Sequence, residues 1–146
     1  MTTLATNLAL NPRTVLVPVD SVMDARGVSA DKVFEMADGD GLQWVWNVAV
    51  NPKAKIRALR FWAREIAAPE TTRDMRLDQV ISLILGDRKN FHSGDVCHLL
   101  RVRRPTLLAL RRQLGGKLQR RGGAIFPRAG IQNFLQTRWL GRVTTR

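Results

Sequence analysis

The chain of 146 residues contains no tyrosine and a single cysteine. The first absence removes every mechanism that needs a tyrosine nucleophile. The second excludes an internal disulfide and with it a small disulfide-held scaffold. No apolar run approaches the ~18 residues of a membrane span. Met1 to Pro12 lacks a basic start and is interrupted by Asn7 and Asn11, so no signal peptide is expected. A cytoplasmic location follows as an expectation. Acid is also scarce: 12 Asp and Glu stand against 24 Lys and Arg, for a formal charge of +12. What remains, 45% hydrophobic and 25% charged, is the composition of a folded protein rather than a disordered tail. The length is about one domain's worth, enough to bury roughly two thirds of the unfolded surface in one core.

The charge is unevenly placed. Up to Asn90 there are 12 basic and 11 acidic residues; from Phe91 onward there are 12 basic residues and one acid, Asp95. Lys and Arg against phosphates release counterions and supply most non-specific affinity for nucleic acid. Membranes and acidic proteins also attract cations, so the arrangement of the residues has to choose the partner.

Three segments organise the chain: residues 1–66, a small α+β unit; 67–90, a linker and an amphipathic helix; and 91–146, the basic part. Thr14 to Val19 is β-branched and apolar and reads as a short strand, with Pro18 at an edge or end. Ser29 caps a helix whose apolar face is Val33, Phe34, Met36 and Ala37, stopping at the turn Asp38-Gly39-Asp40-Gly41. In Leu42 to Val50, alternation puts Leu42, Trp44, Trp46, Val48 and Val50 on one side of a strand. Gln43, Val45, Asn47 and Ala49 form its mixed other side. After Asn51-Pro52, Lys55 to Arg64 reads as a returning strand, although Ile56, Leu59, Arg60 and Ala63 also fit a helix. Ala67 to Thr72 is a linker, Leu77, Val80, Ile81, Ile84 and Leu85 form a helical stripe ending at Gly86, and Asp87 to Asn90 is a polar connection.

In the basic part, Ser93 caps a helix whose inward residues are Val96, Leu99 and Leu100. The turn Arg101-Val102-Arg103 follows, and Pro105 belongs in the first turn of a second helix. Leu107, Leu110 and Leu114 are its buried face, and Gly115-Gly116 ends it. Arg103, Arg104, Thr106, Arg111 and Arg112 face outward. Lys117 to Arg120 and Ala124 to Phe126 make a hairpin around Arg121-Gly122-Gly123. A last helix follows Pro127, with Ile131, Phe134, Leu135 and Trp139 on one face and Arg128 and Arg138 outside it. Helix, turn, helix, basic hairpin, helix is the layout of a winged helix-turn-helix, whose second helix enters the major groove of duplex DNA. The expected fold is α+β: the small N-terminal unit followed by this winged domain.

Residues Ser93 to Gly141, about a third of the chain, resemble the excisionase and MerR-like DNA-binding families. The resemblance rests on Asp95-Val96 opening helix one, the pair Leu99-Leu100, and Val102 at the centre of the turn. Arg104-Pro105-Thr106-Leu107 at the start of the recognition helix, Ile125-Phe126-Pro127, and Ile131 to Leu135 complete it. Three departures stand out. Arg101 replaces a usual Gly, at roughly 1 kcal/mol if the turn is left-handed; Arg103 replaces the usual Ser or Thr cap; and Leu108 and Ala109 stand where polar base-readers are expected. The resemblance implies a transcription regulator or an excisionase-like recombination factor. Arg103, Arg104, Thr106 and Arg111 would approach base edges, flanked by Arg101 and Arg112. Lys117, Arg120 and Arg121 would hold phosphates through the wing.

Other chemistry is weaker. Taking Asp38 and Asp40 as calcium-loop ligands puts Asn47 where a bidentate Glu is required. Cys97, His98 and His92 fall short of four zinc ligands. Trp44, Trp46 and Trp62 suit a core or dimer face better than a base-stacking platform. Asp20, Asp24 and Glu35 have no catalytic spacing, and neither Gly pair makes a phosphate loop. No enzyme activity, cofactor or metal is expected. The expected partners are double-stranded DNA and, through residues 1–66, a second copy or another protein; a non-catalytic accessory subunit of a transposition, replication or RNA-guided complex is the alternative.

Overall fold

The computed structural model describes residues 15–39, 41–55 and 57–141. The fold is α+β. β1 (Leu16–Val17) leads into α1 (Val19–Arg26) and α2 (Ala30–Asp38), followed by β2 (Val45–Asn47), β3 (Leu59–Trp62) and α3 (Ala63–Ala67). After a 3-10 turn at Pro69–Thr71 come α4 (Leu77–Leu85), β4 (Asn90–His92), α5 (Ser93–Leu100) and α6 (Arg104–Leu110). β5 (Lys117–Leu118), β6 (Ala124–Pro127) and α7 (Arg128–Arg138) complete it. The strands form two antiparallel three-stranded sheets, ordered β1-β3-β2 and β4-β6-β5.

Several N-terminal expectations need correcting. Thr14 lies outside the described residues, the strand is Leu16–Val17, and Val19 already belongs to α1. That helix escapes a periodicity argument because Val22 is its one buried residue. Its signals are punctuation: Pro18 before it, Asp20 in the first turn, and Gly27 beyond the end at φ 63°, a backbone conformation suited to glycine. Ser29 does cap α2, its hydroxyl accepting from the Lys32 N–H at 3.2 Å. Asp40, in the turn expected beyond it, lies outside the described residues.

The long strand Leu42 to Val50 is cut to Val45–Asn47 by competing side chains. The Glu65 carboxylate accepts from the Gln43 and Trp44 N–H groups at 2.9 and 3.0 Å. At the other end Asn47 Oδ1 accepts from the Ala49 N–H at 3.1 Å. Both faces of β2 are buried, so Leu42 packs with Val45, Leu59 and Phe61 rather than with the tryptophans. Val50 is exposed. The returning strand is likewise shorter, Leu59–Trp62, because the turn from Asn51 to Lys55 consumes the residues before it and α3 those after.

α4 ends at Gly86 as its stripe implies. Asn90, expected in a polar connection, instead opens β4, where Phe91 pairs with Phe126. Ser93 is the first residue of α5 rather than its cap. Asp95 accepts from the His92 N–H at 3.1 Å in that role, and the Ser93 hydroxyl accepts from the Ala124 N–H at 3.2 Å.

One core joins the first sheet to the helices that follow it. Trp44, Trp46 and Trp62 are buried with Val80, Ile84, Leu100, Leu107, Leu110, Ile131 and Leu135. Trp44 stacks on Trp46 and Trp139 at centroid distances of 6.4 and 5.3 Å and meets Trp62 edge-on. Each of three indoles donates across elements: Trp44 to the Thr72 carbonyl, Trp46 to Leu135 and Trp139 to Gln43. Of the two roles expected for these tryptophans, core or dimer face, Trp44, Trp46 and Trp62 take the first. A second cluster, around Val22, Val33 and Phe61, packs α1 and α2 on the opposite face of the sheet.

Candidate nucleic-acid interface

The turn between α5 and α6 sets how the basic side chains are presented. Arg101 sits at φ 56°, ψ 47°, in the left-handed region that favours glycine. There its N–H and that of Val102 both donate to the Cys97 carbonyl, closing α5. Arg60, from β3, finishes the same helix end: Nε donates to the Leu100 carbonyl and Nη2 to the Arg101 carbonyl, each at 2.9 Å. Burial, then the neighbouring Arg101 guanidinium, lower the Arg60 pKa. No local pattern in the sequence marks this contact, which spans 40 residues.

Arg103 precedes α6 with extended backbone and makes no side-chain cap; Pro105 lies in the first turn, where its missing N–H leaves nothing unpaired. Leu107, Leu110 and Leu114 point into the core. Arg101, Arg103, Arg104 and Arg112 are exposed, and Thr106 is half-buried. Arg111 is half-buried as well, because its Nη1 donates to the Gly116 carbonyl at 3.0 Å while the Gly116 N–H returns to the Arg111 carbonyl at 2.9 Å. It braces the entry to β5. Leu108 is 60% exposed on the outward face, so it does not serve the core of this chain.

β5 and β6 pair Lys117 with Ile125 and Leu118 with Ala124. Gly122 and Gly123, at φ 82° and 75°, turn the hairpin, and the Gln119 N–H donates to the Gly123 carbonyl across it. Lys117, Arg120 and Arg121 are exposed around this tip. Among the described residues no ion pair involves any of the exposed cations of the turn, α6 or the hairpin. Asp95, the single acid after Asn90, is taken by Arg88 at 2.7 Å, and that hydrogen bond holds its carboxyl below its ordinary pKa. Among the described residues no carboxylate lies within ion-pair distance of these exposed cations.

Two arginines expected outside α7 are not there. Arg128 is half-buried and donates to the Gly86 and Arg88 carbonyls. Arg138 is 6% exposed; Nη1 donates to the Asn47 and Ala49 carbonyls at 2.9 and 2.6 Å, and Nη2 donates to Gln113 Oε1. Gln113 in turn donates to the Val50 carbonyl at 3.0 Å. A helical wheel cannot foresee either residue. Their partners are backbone carbonyls of distant segments, which a charged fork reaches only in the folded chain.

Elsewhere, both Glu65 oxygens are occupied by backbone N–H groups. Burial raises its pKa, against those two bonds and the attraction of Arg26. Burial also pushes the Cys97 thiol up. Among the described residues no three His, Cys, Asp or Glu side chains gather closely enough to hold a metal ion, and no helix is long and apolar enough to cross a membrane. A cleft of about 690 Å³ opens between α2 and the segment after α7, with Phe34 and Leu140 on its wall and Asp38, Lys55 and Arg57 around it. Comparison with protein-family models, curated proteins and solved structures found no match to the chain.

Proposed function

We propose that this is a non-catalytic, cytoplasmic DNA-binding protein that uses residues 91–146 as a winged helix-turn-helix on double-stranded DNA. It would act as a transcription regulator or an excisionase-like recombination factor. The observation that carries the reading is a run of exposed basic side chains with no ion pair among the described residues: Arg101, Arg103, Arg104 and Arg112 in and around the turn and α6, and Lys117, Arg120 and Arg121 on the hairpin. α6 follows the turn and the hairpin follows α6, the order of a groove-reading helix and its wing. Arg103 and Arg104 are the base-edge candidates, since both are exposed at the start of the helix. Arg111 braces the wing more than it reads, and Thr106 is half-buried.

The test is selection of bound fragments from random and genomic duplexes, followed by footprinting. The intact protein is expected to enrich one motif, and R103A/R104A to lose that preference while retaining salt-sensitive binding. A bidentate base contact carries about 1–3 kcal/mol of discrimination, so the preference should fall by tenfold or more. Equal binding of every duplex by the intact protein would refute sequence selectivity.

A second reading has an observation of its own. Leu108 on α6 and Leu118 on the hairpin are 60% and 65% exposed, where a base-reader and a phosphate-holder would be polar. An accessory subunit of a transposition, replication or RNA-guided complex would use such residues against a protein while holding nucleic acid generally. Phe34 and Leu140, exposed beside the cleft, suit a second copy or another protein on the N-terminal part. Pulldown of one stoichiometric partner, abolished by L108S, favours this reading.

A further inference from the structure

We infer that Leu108 is a base-reading residue of α6, selecting thymine in the major groove through its C5 methyl group. The inference rests on the duplex-DNA reading of α6 and names what the middle of that helix recognises.

The helix has two faces. On a helical wheel Leu107, Leu110 and Leu114 fall within about 60° of one another, and all three are buried. The backbone beyond α6 stays helical at Arg111, φ −50° and ψ −46°, and the Leu114 N–H donates to the Leu110 carbonyl, so one wheel serves as far as Leu114. The opposite arc holds Arg104, Pro105, Leu108, Ala109 and Arg112, every one of them exposed.

Arg104, Leu108 and Arg112 recur every four residues. They form a row that drifts by about 40° per step, with about 6 Å of rise between neighbours. Leu108 is the centre of this row and is 60% exposed, while buried Leu107 and Leu110 on either side of it anchor the turn that carries it. Thr106 and Arg111 are half-buried. Apart from the two arginines, the side chains that this arc offers to a groove are therefore apolar.

An apolar side chain narrows the choice of base. Of the groups that base pairs display in the major groove, the hydrogen-bond donors and acceptors suit polar readers, and the thymine C5 methyl suits an apolar one. The charge around Leu108 favours DNA as what covers it. An arginine stands one step away in each direction along the row, and no Asp or Glu follows Asp95 in the chain. The row thus places donors for guanine or phosphate at its ends and one methyl-sized apolar contact between them.

The experiment uses the full chain and L108A on duplexes carrying the enriched motif, with each thymine in turn replaced by deoxyuridine. Deoxyuridine keeps the pairing and the O4 acceptor and lacks only the methyl. For the parent protein, one or two positions should lose roughly two- to fourfold in affinity, the worth of burying up to one methyl group. At those positions L108A should bind both duplexes equally, with an unchanged slope of log affinity against log salt, since no phosphate contact has been removed. Because Leu108 is exposed, L108A should keep the parental far-UV circular dichroism and Tm. A methyl that acts through duplex shape would affect both proteins alike, so equal penalties in the parent and L108A overturn the inference. So does a parent that binds every deoxyuridine duplex as tightly as the thymine one, or a motif without thymine, and either leaves the duplex-DNA reading intact. Loss of a stoichiometric protein partner by L108A, with discrimination against deoxyuridine unchanged, also overturns it and places Leu108 in a protein contact. If the intact protein fails to bind duplex DNA, or enriches no motif, the underlying reading and the inference fall together.

Discussion

Arg138→Met tests whether the two halves of the molecule are held together by a buried guanidinium. Methionine keeps most of the apolar stem, which packs near Phe134, where the guanidinium carbon lies 4.7 Å from the ring centroid. The change therefore falls mainly on acceptors: the Asn47 and Ala49 carbonyls and the Gln113 amide lose their donor. A buried acceptor left unpaired costs about 1–3 kcal/mol. Ala49 is half-buried and can be rehydrated, and removing the guanidinium also removes its own desolvation penalty. A net loss of about 3 kcal/mol is expected, which for a chain of this size lowers Tm by roughly 6–12 °C. Urea unfolding followed by far-UV circular dichroism measures it, with the m-value showing whether the transition stays two-state. Combining the change with Gln113→Ala in a double-mutant cycle should give less than additive loss, since the two side chains share one hydrogen bond. A stability for Arg138→Met within about 0.5 kcal/mol of the parent would refute the reasoning.

Two further outcomes follow from close packing and from titration. A Cβ on Gly130 would overlap the Leu114 carbonyl oxygen, so Gly130→Ala should lower stability by about 1–3 kcal/mol even though alanine favours a helix; a raised Tm would contradict this. The Asp95 carboxyl has a depressed pKa in the fold, so its contribution is present above its ordinary value of 3.8 and is lost as pH falls through the folded pKa. Asp95→Asn should therefore be less stable than the parent at pH 7, with the gap in urea midpoint closing towards pH 3. A gap independent of pH would deny the Arg88 contact its role. Glu65, whose pKa is raised, works with the opposite sign: stability falls as pH rises from 4.5 through its folded pKa. It is present in both proteins and cancels in the comparison.

The legible parts of the chain were those with local punctuation. Pro105 in the first turn of α6, the glycines at the hairpin tip and the leucine spacing of α6 all act within one or two turns of backbone, so composition near each site carries them. The same is true of Ser29 and Gly86. α1 was illegible by pattern because a helix that buries only Val22 has no apolar stripe. β2 was overextended because alternation says nothing of a carboxylate, Glu65, that takes its N–H groups from 21 and 22 residues away. Arg60 and Arg138 were misjudged or missed for a related reason. Charge predicts a solvated side chain, and only the tertiary fold supplies the carbonyls that make burial affordable. In the basic face the residue types were visible in sequence, whereas the division between exposed Arg112 and bracing Arg111 required the turn to Gly116.

The clustered tryptophans give the molecule an optical division of labour. With no tyrosine and all four tryptophans in one cluster of ring contacts around Trp44, near-ultraviolet absorption and emission arise almost wholly where the first sheet meets α7. α6 and the hairpin carry no such chromophore. Intrinsic fluorescence is therefore a gauge of that junction, blind to events on the basic face, and an indole substituted at Leu108 would be the sole emitter there.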